Sequence, residues 1–547
     1  MDTQRLILFI IFSFSLVLLW DAWQKEHRPP APASSTSAPA SPATGVPSPT
    51  HAQPAESRQP AAAVSPPPSG ERIEIRTDLY VATVNTVGGT LERLELLQHK
   101  DAIDPGKNLM LLGPEHHYAA QSGLEQGPND RSVWKPLPGE RSLKEGSESL
   151  ELRLRAEQDD GVSVDKVYAF RRNSYVIDVT LQISNGGSTT LTPHSYFQLT
   201  HDSAPLEGGN TIAQSFGAQS FFGFASYSDE KKFEKIAFSD VDKGKAHATQ
   251  TKDGWSAFVQ HYFVSAWLPA QGPIRKFTVE RRSDGIYASR VVFDLPPLAA
   301  GASTQVTVPI YSGPQEQSRL KAAAPGLDLV VDYGWLTIIA WPLFWLLEQM
   351  HALTGNWGVA IILLTVIIKL VFFPLSAASY RSMAKMKLIN PRLMKLREKY
   401  GDDRAKLNQA MMELYKTEKI NPLGGCFPIL VQIPVFIALY WVLLAAIELR
   451  HAPFMLWIHD LSALDPYFVL PTLMAGTMIL QTRMNPKPPD PVQAKVMAVM
   501  PFIFSVFFFF FPAGLVLYWL VNNILSIAQQ WQIQRLFERE KPAAPKR

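Results

Sequence analysis

The sequence predicts a polytopic α-helical membrane protein of six spans that carries a large all-β domain on the outer side, and three observations lead there. The 46% hydrophobic content of the 547 residues averages a polar stretch of about 320 residues with a C-terminal part holding several long apolar runs, which excludes one soluble globule. Period-two alternation fills much of the polar part, and one strongly basic loop lies between two of the apolar runs. The 52 basic and 49 acidic side chains leave a charge of +3, too balanced for a nucleic-acid binder working by bulk electrostatics. Cys426 is the single cysteine, so no intramolecular disulfide and no thiolate metal cluster is expected; no cofactor is expected either.

Residues 1–28 read as an N-terminal transmembrane anchor. Leu6 to Trp20 is an uninterrupted apolar or hydroxylated run after one basic residue, Arg5. A cleaved signal peptide is the alternative, but Asp21, Ala22, Trp23 and Gln24 follow without a small-x-small pair. Extended to Trp23 the run spans about 27 Å, enough for a thin bilayer. Residues 29–70 are almost entirely Pro, Ala, Ser and Thr, a composition that cannot offset the entropy of ordering and reads as a disordered tether. From 71 to 315 the alternation at Ile73/Ile75, Leu150/Leu152/Leu154, Tyr175 to Ile183 and Val306/Val308 marks strands. Gly88-Gly89, Asp159-Asp160-Gly161, Asn185-Gly186-Gly187 and Gly208-Gly209 mark turns. Many strands with few helices imply a β-sandwich. His194, His201 and His261 lack metal-ligand spacing and read as core or surface residues.

Five apolar stretches then suit spans near 357–375, 428–447, 466–482, 494–511 and 515–533, the last two joined by Pro512-Ala513-Gly514 as a tight hairpin. Residues 330–352, rich in tryptophan and interrupted by Pro342, are assigned by charge. Counting them as a span would put the loop from Ser376 to Leu423 outside. That loop holds eleven basic residues (Arg381, Lys385, Lys387, Arg392, Lys395, Arg397, Lys399, Arg404, Lys406, Lys416 and Lys419) against five acidic ones. The positive-inside tendency therefore makes 330–352 an interfacial amphipathic helix, both termini cytoplasmic and the β-domain outside. The tail 538–547 is basic and cytoplasmic.

Within the basic loop, 380–420 reads as a helical hairpin, with Asn390-Pro391 opening the first helix, a break at Tyr400-Gly401 and Asp402-Asp403 capping the second. Met394, Leu396, Leu407, Met411, Met412, Leu414 and Tyr415 supply the pairing seam. Its charge serves topology and anionic-lipid attraction, or a landing site for ribosomes, targeting factors and nascent chains. Lys369 stands alone in an apolar run, and two readings stay open: it snorkels to the cytoplasmic boundary, or it faces a wet groove. Thr365, one turn away, and Gln432 add polarity at the same depth, each with interhelical bonding as its simpler role. Tyr518, Trp519, Asn522 and Asn523 carry polar tips suited to the same groove, although Trp519 also suits an interfacial anchor. Phe427, Ile433 and Phe436, with Phe502, Phe504 and Phe507 to Phe511, serve lipid contact and packing, or a hydrophobic slide for an incoming segment.

Several uncommon strings in order carry a family resemblance: Asn356-Trp357-Gly358, Ser382-Met383-Ala384-Lys385-Met386, Asn421-Pro-Leu-Gly-Gly-Cys-Phe-Pro428, Trp457-Ile-His-Asp-Leu461 and Phe511-Pro-Ala-Gly-Leu-Val-Leu-Tyr518. They resemble the YidC/Oxa/Alb family of membrane protein insertases, in its Gram-negative form. The resemblance implies a five-helix core over 353–537 enclosing a hydrophilic groove, and a periplasmic β-supersandwich. It also implies insertion and folding of inner-membrane proteins, alone or with the Sec translocon. The family's groove charge is usually arginine, where this chain has Lys369, and Trp519 stands where tyrosine is common. The β-domain resembles sugar-binding supersandwich proteins, which does not establish carbohydrate binding. No covalent chemistry, hence no enzyme activity, is needed for insertion. A small-solute transporter or channel, or an anchored carbohydrate-binding envelope protein, are the competing readings.

Overall fold

The computed structural model describes residues 70–101, 104, 106–158, 160–204, 221–245, 247–401, 403–418, 427–485 and 491–539. The expected anchor (1–28), nearly all of the tether (29–70), the turn at Gly208-Gly209 and the tail from residue 540 lie outside the described residues.

Two antiparallel sheets of nine strands each form a sandwich. The first runs from Arg72–Arg76 through Tyr80–Asn85, Thr90–Lys100, Ala119–Leu124, His194–His201, Tyr287–Asp294 and Arg275–Arg281 to His247–Thr251, with Asn108–Leu112 beside Thr90–Lys100. The second runs from Lys232–Ile236 through Gly223–Ser228, Trp255–Gln260, Phe263–Trp267, Ser303–Pro314, Val176–Asn185, Val162–Arg171 and Ser149–Glu157 to Lys135–Pro136. Alternation sets which face is buried: in Ser149–Glu157 every second residue from Leu150 is buried and the others are exposed, as a sheet with one solvated face requires. Lys166 pins the sheets together from within. Fully buried, its ammonium donates to the carbonyls of Gly88, Gly89 and Ser122 at 2.7–3.2 Å and lies 4.3 Å over the Trp134 ring. Gly88 and Gly89 both have positive φ (77° and 53°), a conformation that glycine adopts without steric cost.

The helical part comprises α1 (Thr337–Thr354), α2 (Trp357–Val371), α3 (Phe373–Tyr400), α4 (Arg404–Thr417), α5 (Phe427–Ala445), α6 (Val469–Met484), α7 (Pro491–Phe508) and α8 (Ala513–Arg539). Helix α1 buries Ala340, Phe344 and Leu347 and exposes Ile338, Trp341, Trp345 and Leu353. The Asn356-Trp357-Gly358 string has a local cause. The Asn356 side chain caps α2 by accepting from Val359 N (3.0 Å) while its amide donates to Phe454 O (2.8 Å), and a Cβ on Gly358 would meet the Phe454 ring at 2.1 Å. Helix α8 packs against α2, α3, α5 and α6, and α1 against α2 and α5.

Two expectations change. Helix α3 runs unbroken through Asn390-Pro391 to Tyr400, so Pro391 opens nothing. Pro391 and Lys387 are both exposed, and water can take the carbonyl that proline leaves unpaired. The pairing seam with α4 is Ile389 and Leu393 against Met386, Met411, Leu414 and Tyr415, whereas Met394 and Met412 are exposed. The break at Tyr400-Gly401 is as expected, and Asp403 caps α4 by accepting from Lys406 N (3.1 Å). Among the described residues no single helix is long and apolar enough to cross a membrane. Only α2 and α3 together reach that length, bent by 66° at their junction.

Candidate functional site

Five helices converge on a cavity of about 320 Å³. Helix α2 brings Lys369, and α3 brings Ser376, Ser379, Tyr380 and Met383. Helix α5 brings Gln432, Ile433 and Phe436, and α6 adds Gln481 and Asn485. Helix α8 contributes Tyr518, Trp519, Asn522, Asn523 and Ser526. The polar residues of α8 follow helical spacing: Tyr518, Asn522 and Ser526 repeat every four residues and share one face. The bend at Phe372 sends α3 away from the axis of α2, so that Lys369 and the start of α3 edge the same space.

Hydrogen bonds tie the lining together. Lys369 Nζ donates to Ser526 Oγ (2.7 Å), which itself donates to the Asn522 carbonyl (2.8 Å). Gln432 Nε2 donates to Asn522 Oδ1 (3.0 Å), joining α5 to α8, and Gln530 Nε2 donates to Asn485 Oδ1 (3.1 Å), joining α8 to α6. Trp519 Nε1 and Asn523 Nδ2 are buried without a hydrogen-bond partner among the described residues. Such donors call for water or for carbonyls of a bound chain. Among the described residues no carboxylate lies within ion-pair distance of Lys369, so none of them compensates its charge. At a separation of about 8 Å and an effective dielectric near 20, one carboxylate would gain about 2 kcal/mol there.

Of the residues singled out from sequence, Lys369, Gln432, Tyr518, Trp519, Asn522, Asn523, Ile433 and Phe436 meet at this cavity. Thr365 lies outside the lining. It is fully buried and its hydroxyl donates to Ile361 O (2.7 Å). Phe436 stacks on Tyr518 (6.2 Å) and meets Trp519 edge-on (4.6 Å). Phe502 and Phe504 are exposed, whereas Phe511 is buried against Phe507, Phe508 and Tyr440. The side chains of Phe427 and Arg404 are not among those described. Arg381, Lys385, Lys387, Arg392, Lys395, Lys399 and Lys406 are exposed on the hairpin and Arg397 is half-buried, with Arg392 paired to Glu418 (2.6 Å). Ser376, Ser379, Tyr380, Gln481, Asn485 and Ser526 were not singled out by sequence reading. The four-residue period from Tyr518 to Ser526 was the available signal. Among the described residues no three His, Cys, Asp or Glu side chains converge as metal ligands.

Comparison with known proteins bears on the same regions. The family described as YidC periplasmic domain matches residues 72–346, and that described as 60Kd inner membrane protein matches residues 349–541. A membrane protein insertase YidC of Methylobacillus flagellatus is 53% identical over 553 residues, covering 98% of each chain. That of Aromatoleum aromaticum is 52% identical over 557 residues, covering all of both. An active YidC insertase crystal structure with its first transmembrane domain resolved superposes with a TM-score of 0.40 at 18% identity, covering 84% of this chain and 92% of that one. With both regions matched in order and near-complete relatives at half identity, the chain belongs to the YidC family of membrane protein insertases.

Proposed function

We propose that the chain inserts nascent inner-membrane proteins and assists their folding, with its β-domain in the periplasm. The observation that carries the mechanism is the lone ammonium of Lys369 in a polar-lined cavity edged by Ile433 and Phe436. A client segment arrives at the basic hairpin α3–α4. Its short acidic or polar tail enters the cavity toward Lys369, hydrogen-bonding in passing to groups such as Trp519 Nε1 and Asn523 Nδ2. The apolar segment then leaves along the aromatic side chains of α5 and α7 into lipid. Burying an apolar helix in the bilayer is strongly favourable, and the barrier is the crossing of its polar flank. A wet cavity partway through shortens that crossing, and the membrane potential assists acidic tails by about 2.3 kcal/mol per charge per 100 mV.

In this reading residues 1–28 are an anchor, 29–70 a tether, and 71–315 the periplasmic domain. The exposed face of α1 lies in the outer headgroup region, 353–537 form the core with five spans, and both termini are cytoplasmic. The Sec translocon, ribosomes, targeting factors and anionic lipids are the partners, the last three meeting the hairpin and the tail 538–547. No covalent step is involved.

The test is protease-protected insertion of a short, acidic-tailed single-span protein into liposomes holding the intact chain, Lys369→Ala, or no protein. Insertion by the intact chain only is the expected result. Equal insertion by Lys369→Ala would remove the charge from the mechanism, and no insertion above empty liposomes would remove autonomous insertion.

A further inference from the structure

We propose that Ser526 is a positioning residue: its hydroxyl holds the Lys369 ammonium inside the groove, in place of a lysine free to swing toward the cytoplasmic boundary. The inference rests on the insertase reading above. Lysine is a point charge on a flexible four-carbon stem, with none of the planar fork that lets arginine fix its own orientation. From the last turn of α2, an unheld stem reaches the interface by snorkelling. The geometry removes that freedom. Ser526 is 4% exposed, and its proton is committed to the Asn522 carbonyl one turn back (2.8 Å). Its lone pairs are thereby left to accept, and Lys369 Nζ donates to them at 2.7 Å.

Tyr380 of α3 lines the same cavity as Lys369 and Ser526. One of the three ammonium donors is used on Ser526, which leaves the others for a client carboxylate or water. Asn522 serves two ends at once, because its backbone carbonyl orients Ser526 while its side chain accepts from Gln432 (3.0 Å). The register of α8 thus sets both the height of the charge and the opposite polar wall. The arrangement needs a hydroxyl that can donate to the carbonyl four residues back. Threonine supplies one, alanine supplies none, and cysteine matches the volume of serine but accepts weakly.

The experiment measures protease-protected insertion of two single-span clients, identical except for an acidic or a neutral short tail, by liposomes holding the full chain. The variants are Ser526→Ala, Ser526→Cys, Ser526→Thr, Lys369→Ala and the double Lys369→Ala/Ser526→Ala. A hydrogen bond to a charged group is at stake, so Ser526→Ala and Ser526→Cys should lower acidic-tail insertion about tenfold and leave the neutral tail within about twofold. Ser526→Thr should restore the acidic client, and in the Lys369→Ala background Ser526→Ala should add nothing. Equal loss for both tails, or a further loss in the Lys369→Ala background, would make Ser526 a packing residue and overturn the proposal. If Ser526→Ala does not fold, the near-isosteric Ser526→Cys carries the same comparison, with melting temperature as the check. A tail-dependent defect in Lys369→Ala without one in the Ser526 variants sinks this proposal alone. No tail-dependent defect in either sinks the electrostatic groove with it.

Discussion

Lys369 stands out in the sequence because a single ionisable residue interrupts a long apolar run, where a charge is costly if the run crosses a membrane. Whether it snorkels or faces a groove was not legible, since that depends on what α8 places opposite it. Ser526 escaped notice because serine in a helix is ordinary. Thr365 attracted notice for its spacing, yet its hydroxyl is satisfied within α2, a common fate for threonine in an apolar helix. If the cavity works through charge, Lys369→Arg should keep acidic-tail insertion within about twofold. Lys369→Glu, which turns attraction of about 2 kcal/mol into repulsion, should lower it at least tenfold. Insertion of acidic- and neutral-tailed clients by the two variants measures this, and an arginine variant as impaired as the glutamate one would show that lysine geometry dominates.

At the scale of elements, the turn into α6 depends on one carboxylate. Asp465 is 2% exposed. One oxygen accepts from Trp457 Nε1 and Tyr467 N (both 3.0 Å), and the other from Leu470 N (2.7 Å). These bonds join the loop carrying Trp457-Ile-His-Asp-Leu461 to the first turn of α6, where unpaired N–H groups favour an anion. The α7–α8 hairpin leans on the same loop, with Ala513 N donating to Ala463 O (2.7 Å) and Gly514 N to Leu461 O (2.9 Å). Asp465→Ala leaves three donors without their acceptor and should destabilise the helical core by about 3 kcal/mol. Asp465→Asn, which keeps an acceptor oxygen, should lose less. Thermal unfolding in detergent separates them. The hairpin at Pro512-Ala513-Gly514 was readable from its turn residues, but the dependence of its geometry on Leu461 and Ala463 was not.

At the scale of the molecule, one apolar cluster continues from the sandwich through Leu320, Leu327, Val330 and Tyr333 into the helices. The docking is also polar: Arg450 donates to Lys100 O and covers the Phe263 ring, and His261 Nε2 lies 3.2 Å from Leu444 O. His99, edge-on to Phe263, is held down to about 4 by burial, with Arg450 and His451 adding to the effect. His201, packed among Tyr118, Phe222 and Phe258 and stacked near His116, is likewise held down to about 4 by burial, against the opposing pull of Asp202. Both values lie below the ordinary 6.5 or so of an unfolded histidine. Between about pH 4 and 6.5 the unfolded chain therefore binds more protons than the native one, and stability falls as pH falls through that window. Above it the contribution is complete. The melting temperature of the full protein should drop from pH 7 to pH 4.5, and His201→Phe, if it folds, should flatten the slope. An unchanged slope in that variant would assign the acid sensitivity to other groups.

The sequence by itself marked out the β-sandwich and the apolar helices, because burial demands different periods of strands and of helices. It also located the break at Gly401, since capping is local. Tertiary structure decided which sheet each strand joins, the passage of α3 through Pro391, the inward turn of Thr365, and the seat of Lys369 on Ser526. Those outcomes rest on contacts between residues 157 positions apart in the case of Lys369 and Ser526. No local pattern encodes such a contact until packing places the two helices side by side.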